Sequence, residues 1–155
     1  MSLLLPSIKA RALRLLSGRE HSRLELERKL SRFEIEPGEL GRALDDLQVR
    51  GFISEQRVLE SVLQRKASKL GASRLRQELS AKGLEPELVR EAVTQLKTSE
   101  LERAQEVWRK KFGAPASDAQ GRAKQMRFLL TRGFCAEVLR HVVPGVASGT
   151  GGENA

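Results

Sequence analysis

The sequence predicts an all-α protein built from three tandem three-helix repeats, forming an elongated, curved array with a disordered C-terminal tail. Apolar residues recur at three- and four-residue steps: Leu13 and Leu16, then Leu26, Leu30 and Phe33, then Leu40, Leu44 and Leu47. No strand-like alternation competes with that period. The chain also matches itself at shifts of 49 and then 50 residues, which is the signature of a repeat.

The first shift places Leu30 on Leu79, Ser31 on Ser80, Ile35 on Leu84, Glu36 on Glu85 and Pro37 on Pro86. It continues with Leu40 on Val89, Ala43 on Ala92, Leu44 on Val93 and Leu47 on Leu96. The second shift places Leu79 on Leu129, Leu84 on Phe134, Val89 on Leu139, Ala92 on Val142 and Val93 on Val143. The same faces are therefore expected to be buried in each copy. The repeats are set at residues 8–51, 52–98 and 99–143, and 144–155 is the tail.

Each repeat reads as a long first helix, a second helix ending in a basic or glycine turn, and a third helix carrying the apolar quartet. First helices are expected near Ile8 to Leu16, Gln56 to Lys69 and Leu101 to Phe112. Ser22 and Glu25 have capping-box spacing, starting a helix that runs to about Arg32. Gly51, Gly71, Gly83 and Gly133 read as helix stops, after which the next apolar side chain folds back on the core. Pro37 and Pro86 sit where a first-turn proline is tolerated. The run Gly113 to Ser117 is an exposed loop, with Ser117 or Asp118 capping the next helix. From Pro144 onward almost no hydrophobe anchors the chain.

Composition supports slender helices over a thick sandwich, because aromatics are only 4% and Tyr is absent. At about 25 cal/mol per Å² of apolar surface buried, modules this small are marginal alone and depend on their neighbours. A formal charge of +8 and a pI near 10.2 point to polyanionic partners. No apolar run approaches the roughly 18 residues of a membrane span, and Met1 to Pro6 lacks a signal-peptide core. The single Cys135 excludes internal disulfides and suits a reducing cytoplasm.

Catalytic, cofactor and metal sets are not expected. His21 and His141 are the only histidines, and Cys135 is read as a small packing residue after Phe134. Asp45 and Asp46 point in different directions on a helix and read as surface or ion-pair residues. No glycine-rich loop carries a phosphate-binding lysine. Trp108, four positions after Ala104, reads as core, and the chain lacks the repeated exposed aromatics of a single-strand binder.

Basic residues are the functional candidates. Arg103, Arg109, Lys110, Lys111, Arg122, Lys124, Arg127 and Arg132 face only Glu106 and Asp118 in their stretch, making the third repeat the most positive. In the middle repeat Arg65, Lys66, Lys69, Arg74, Arg76 and Lys82 are expected around the junction at Gly71. The partner- or nucleic-acid-binding set is Lys66, Lys69, Arg74, Arg76, Lys82, Lys110, Lys111, Arg122, Lys124, Arg127 and Arg132.

The run Ala12-Leu13-Arg14-Leu15-Leu16-Ser17-Gly18-Arg19-Glu20-His21-Ser22, with Glu25-Leu26, Lys29 and Leu30 after it, resembles the opening of RecX-family proteins. So do Leu44-Asp45-Asp46-Leu47 before Gly51-Phe52-Ile53, Arg65-Lys66, Gly71, Glu78-Leu79 and Lys82-Gly83-Leu84. Lys110-Lys111-Phe112, Phe128-Leu129 and Arg132-Gly133-Phe134 extend the likeness, which spans residues 10–143. One departure follows Ile53: the family places Asn or Asp, an acidic residue and an aromatic-Ala pair where Ser54-Glu55-Gln56-Arg57-Val58-Leu59 stands, although Ser54 still suits a helix cap. The residues themselves predict a non-enzymatic protein without cofactors or a membrane role, expected to be a monomer, and the resemblance implies a cytoplasmic one. It further implies binding to RecA–DNA filaments and restraint of their strand exchange, ATP hydrolysis and coprotease action in DNA repair and the SOS response; the positive charge without exposed aromatics adds an expectation of weak, salt-sensitive binding to single- or double-stranded DNA. The rival functions are a direct DNA-binding helix-turn-helix protein and a helical-repeat adaptor for another protein.

Overall fold

The computed structural model describes residues 5–145, and these hold nine α-helices and no strand. They are α1 (Ile8–Gly18), α2 (Arg23–Leu30), α3 (Glu39–Val49), α4 (Glu55–Lys66), α5 (Ala72–Ala81), α6 (Pro86–Thr98), α7 (Glu100–Lys111), α8 (Ala119–Thr131) and α9 (Ala136–Leu139). Local chemistry sets their starts. The Ser22 hydroxyl accepts from the Glu25 amide at 3.2 Å while the Glu25 carboxylate accepts from the Ser22 amide at 3.1 Å, the reciprocal pair that the spacing predicts. Ser54 accepts from the Arg57 amide, and Asp118, not Ser117, caps α8 through the Gly121 amide at 2.7 Å. No described helix is long and apolar enough to cross a membrane.

The chain divides into two compact units. Among the described residues, unit 1 contains those up to Val62 together with Leu79–Glu85, and unit 2 contains Leu63–Glu78 and those from Pro86. In unit 1, α1, α2 and α3 enclose Ile8, Ala12, Leu26, Leu30, Leu40, Leu44 and Leu47, joined by Ile53. In unit 2, α7, α8 and α9 enclose Ala104, Leu129, Phe134 and Leu139, with Val142 and Val143 following. Trp108 packs against this second cluster and donates its Nε1–H to Gln125 Oε1 at 3.0 Å, so its core role stands.

Several elements depart from the repeat. Ile35 is 86% exposed although its matched residues Leu84 and Phe134 are 5% and 2% exposed. Here α2 ends in a 3-10 turn, Ser31–Phe33, so Phe33 reaches the core two residues early and takes that role. Pro37 lies in the turn before α3 rather than in its first helical turn, whereas Pro86 does begin α6. Gly51, Gly83 and Gly133 take left-handed backbone, but Gly71 does not. The third copy's last helix is one turn long, yet the hydrogen-bonded turns after it still bury Val142 and Val143. Cys135 is exposed, since Phe134 fills the core and extended backbone turns the next side chain outward. Pro144 and Gly145 close the turn after α9, and the rest of the expected tail, 146–155, lies outside the described residues.

Candidate partner-binding surface

Unit 2 is braced by two charged residues of α7. Glu100, only 4% exposed, accepts the Ala72 amide at 2.7 Å and so caps α5 from a distant point in the chain. Arg103 donates to the carbonyls of Ala67 (2.9 Å), Leu70 (2.5 Å) and Leu96 (2.8 Å), and to Ser99 Oγ (3.0 Å). Burial lowers the Arg103 pKa from its ordinary value against the opposing pull of the Glu100 carboxylate. One cation counted toward the third repeat's charge is thus structural. Sequence reasoning missed Glu100 because the helix end it caps begins 28 residues earlier.

Between α4 and α5, Gly71 donates its N–H to the Arg132 carbonyl at 2.8 Å. A Cβ on Gly71 would overlap the Gly133 carbonyl, and a Cβ on Gly133 would overlap the Arg74 backbone. The two glycines therefore let the 131–134 turn lie directly on the start of α5. Around this turn three predicted cations meet. Arg74 donates to the Thr131 carbonyl at 3.1 Å, while Arg132 and Lys111 stand 4.9 and 5.1 Å from the Phe128 ring centroid.

The other predicted residues fall into two groups. Lys66 is tied to Glu78 at 2.5 Å, and Lys110 stands 3.8 Å from Glu106, which Arg109 also holds. Lys69, Arg76, Lys124 and Arg127 are exposed, and Arg122 is half-buried beside Gly145. The α8 sequence contains no Asp or Glu, so its three cations have no carboxylate of their own helix to pair with.

Lys82 is not at the Gly71 junction. It follows the opposite end of α5, within unit 1, and its Nζ lies 3.1 Å from Glu25 Oε1. Its physical constraint is that carboxylate, which Arg19 also grips at 2.7 Å. Burial alone would raise the Glu25 pKa, but the bonds from Arg19, the Ser22 amide and Lys82 outweigh it and hold the group at about 2. Beside it, the buried His21 has Nδ1 3.1 Å from the Arg19 carbonyl and Nε2 3.0 Å from Lys29 Nζ. Burial lowers the His21 pKa, and the neutral ring with Nδ1 donating satisfies both contacts. Asp45 pairs with Arg23, and Asp46 with Lys9 and Arg50, the ion-pair role read for them. No group of three or more metal-ligating side chains occurs among the described residues.

Three family models match the chain: the first three-helix domain of RecX over residues 9–47, the second over 54–93 and the third over 98–143. The regulatory protein RecX of Leptothrix cholodnii is 50% identical over 137 residues, covering 88% of this chain and 87% of that protein. That of Herminiimonas arsenicoxydans is 51% identical over 134 residues, 86% of this chain and 89% of its own. Among solved structures, RecX from Lactobacillus salivarius superposes with a TM-score of 0.68 at 20% identity, covering 87% of this chain and 91% of that one. A second regulatory protein RecX gives a TM-score of 0.71, also at 20% identity, over 87% of this chain and 70% of that one. At that identity the superpositions speak to the fold, but the matched domains and the half-identical relatives leave no ambiguity: this protein belongs to the RecX family of regulatory proteins.

Proposed function

We propose that this protein binds RecA–DNA filaments and restrains their ATP hydrolysis, strand exchange and coprotease action, acting as a cytoplasmic monomer without catalysis of its own. Its working parts are three repeats at 8–51, 52–98 and 99–143. The observation that carries this reading, together with the family, is the charge of α8. Lys124 and Arg127 are exposed one turn apart and have no carboxylate partner among the described residues. A surface of this kind attracts a polyanionic assembly and weakens with salt. A binder without catalytic groups lowers turnover when its affinity for one filament state exceeds that for another.

The test is titration of the protein into RecA on single-stranded DNA with ATP. Hydrolysis is expected to fall with added protein, and Lys124→Glu with Arg127→Glu is expected to weaken that effect at least tenfold without changing the helical content. Unchanged hydrolysis and strand exchange at saturating protein would overturn the reading. Tight, sequence-selective binding to duplex DNA without RecA would replace it with direct DNA recognition.

A further inference from the structure

Unit 1 carries a surface groove of about 1040 Å³ along α1, α2 and the 3-10 turn, with Leu13, Leu15, Leu30 and Phe33 among its apolar lining. Five cations also line it: Arg11, Arg14, Arg28, Lys29 and Arg32; no carboxylate does. Arg14, Arg28, Lys29 and Arg32 are exposed. Elsewhere in unit 1, Lys9, Arg19, Arg23, Arg50, Arg57 and Lys82 each pair with a carboxylate. The groove therefore combines an aliphatic surface with a positive field that the unit does not neutralise locally.

We propose that this groove binds an acidic amphipathic peptide segment of a partner protein, with leucine-like side chains on the apolar lining and carboxylates against the cations. The chemistry favours a peptide over a nucleic acid. The apolar part of the lining is aliphatic but for one aromatic ring, Phe33, which already carries the Arg11 and Arg32 guanidiniums at 3.8 and 4.7 Å from its centroid. A base would have to displace a guanidinium to stack there, whereas a leucine needs only the aliphatic surface. Carboxylates would meet planar guanidiniums suited to two-point hydrogen bonding. This inference concerns unit 1 and stands apart from the α8 surface proposed above.

The experiment uses the full chain and a fluorescein-labelled helical peptide of about 16 residues, with Leu on one face and Glu on the other, read by anisotropy at several salt concentrations. Saturable binding is expected, at least tenfold weaker for Arg14→Glu with Arg28→Glu and unchanged for Lys124→Glu with Arg127→Glu. Ala10→Trp, which leaves every cation in place but fills the exposed wall of the groove, is also expected to lose at least tenfold. A Glu-to-Gln peptide of the same apolar face is expected to bind at least tenfold more weakly. Equal binding by the Arg14/Arg28 variant, by Ala10→Trp or by the Gln peptide would overturn the proposal. So would displacement of the peptide by single-stranded oligonucleotide at lower concentration than by unlabelled peptide. Self-association of the wild-type chain that the Arg14/Arg28 reversal abolishes would assign the groove to a second copy and overturn it too.

Discussion

The start of α2 in unit 1 and the start of α5 in unit 2 occupy matching places in the repeat, yet opposite chemistry holds them. Shifting by 49 residues sets Glu25 on Arg74, and shifting by 50 sets Lys82 on Arg132. Where unit 1 joins a carboxylate to a lysine at 3.1 Å, unit 2 has two arginines flanking one turn. The glycine contacts differ in the same sense. A Cβ on Gly83 would come 2.8 Å from Leu24 Cδ2 and 2.9 Å from Leu24 Cβ, side-chain atoms, whereas Gly71 and Gly133 approach backbone. Unit 1 is fastened here by side-chain charge and unit 2 by backbone contact; on the proposed reading, this leaves Arg74 and Arg132, which no carboxylate among the described residues pairs here, for a partner. A fold can thus keep a junction while changing what its charges do.

The largest effect should come from breaking the backbone junction. Gly71→Ala is expected to destabilise by about 4 kcal/mol or more, because neither the Gly133 carbonyl nor the Phe134 amide can move away without displacing the turn. Gly51→Ala, with left-handed backbone but open space around it, is expected to cost about 1 kcal/mol. Urea melts of both variants check the contrast, and equal losses would dissolve it.

Next comes the charged junction. Since the folded Glu25 pKa is held at about 2, below its ordinary value, its contribution is complete above the unfolded pKa and disappears as pH falls toward 2. Glu25→Gln should therefore lower stability by roughly 2–3 kcal/mol at pH 7 and progressively less below pH 4.5, as followed by urea unfolding across that range. His21 adds in the same direction. Its lowered pKa means the unfolded state takes up a proton first as pH falls below 6.5, so stability declines there as well. A pH-independent difference between wild type and Glu25→Gln would remove the charge account of unit 1.

A smaller effect is expected inside unit 2 at Trp108→Phe, about 1–2 kcal/mol in a thermal or urea melt, because Gln125 Oε1 loses its donor while largely buried. A neutral result would mean that water replaces the indole N–H.

These contrasts also explain how much the sequence discloses. Helix starts were readable wherever the capping residue is local, as at Ser22, Ser54 and Asp118, and so was the buried face shared by Leu30, Leu79 and Leu129. What escaped reading depended on residues distant in the chain. Glu100 caps a helix that starts at Ala72, Gly71 is required by a turn at Gly133, and Phe33 takes the place that register alone gives to Ile35. The candidate surface was legible as composition, in the basic run from Arg103 to Arg132. Its sorting was not, because only geometry separates Arg103 on three carbonyls and Lys66 on Glu78 from exposed Lys124 and Arg127.

Converting one junction into the other tests the central claim most directly. Arg74→Glu puts an acidic residue in the first turn of α5, where a helix favours negative charge, and beside the 131–133 turn. Measured together by urea unfolding and by inhibition of RecA-dependent ATP hydrolysis, this variant should keep its stability within about 1 kcal/mol of wild type while losing at least tenfold in inhibitory potency. Full inhibition by a stably folded Arg74→Glu protein would contradict the claim that unit 2 leaves its junction cations for a partner.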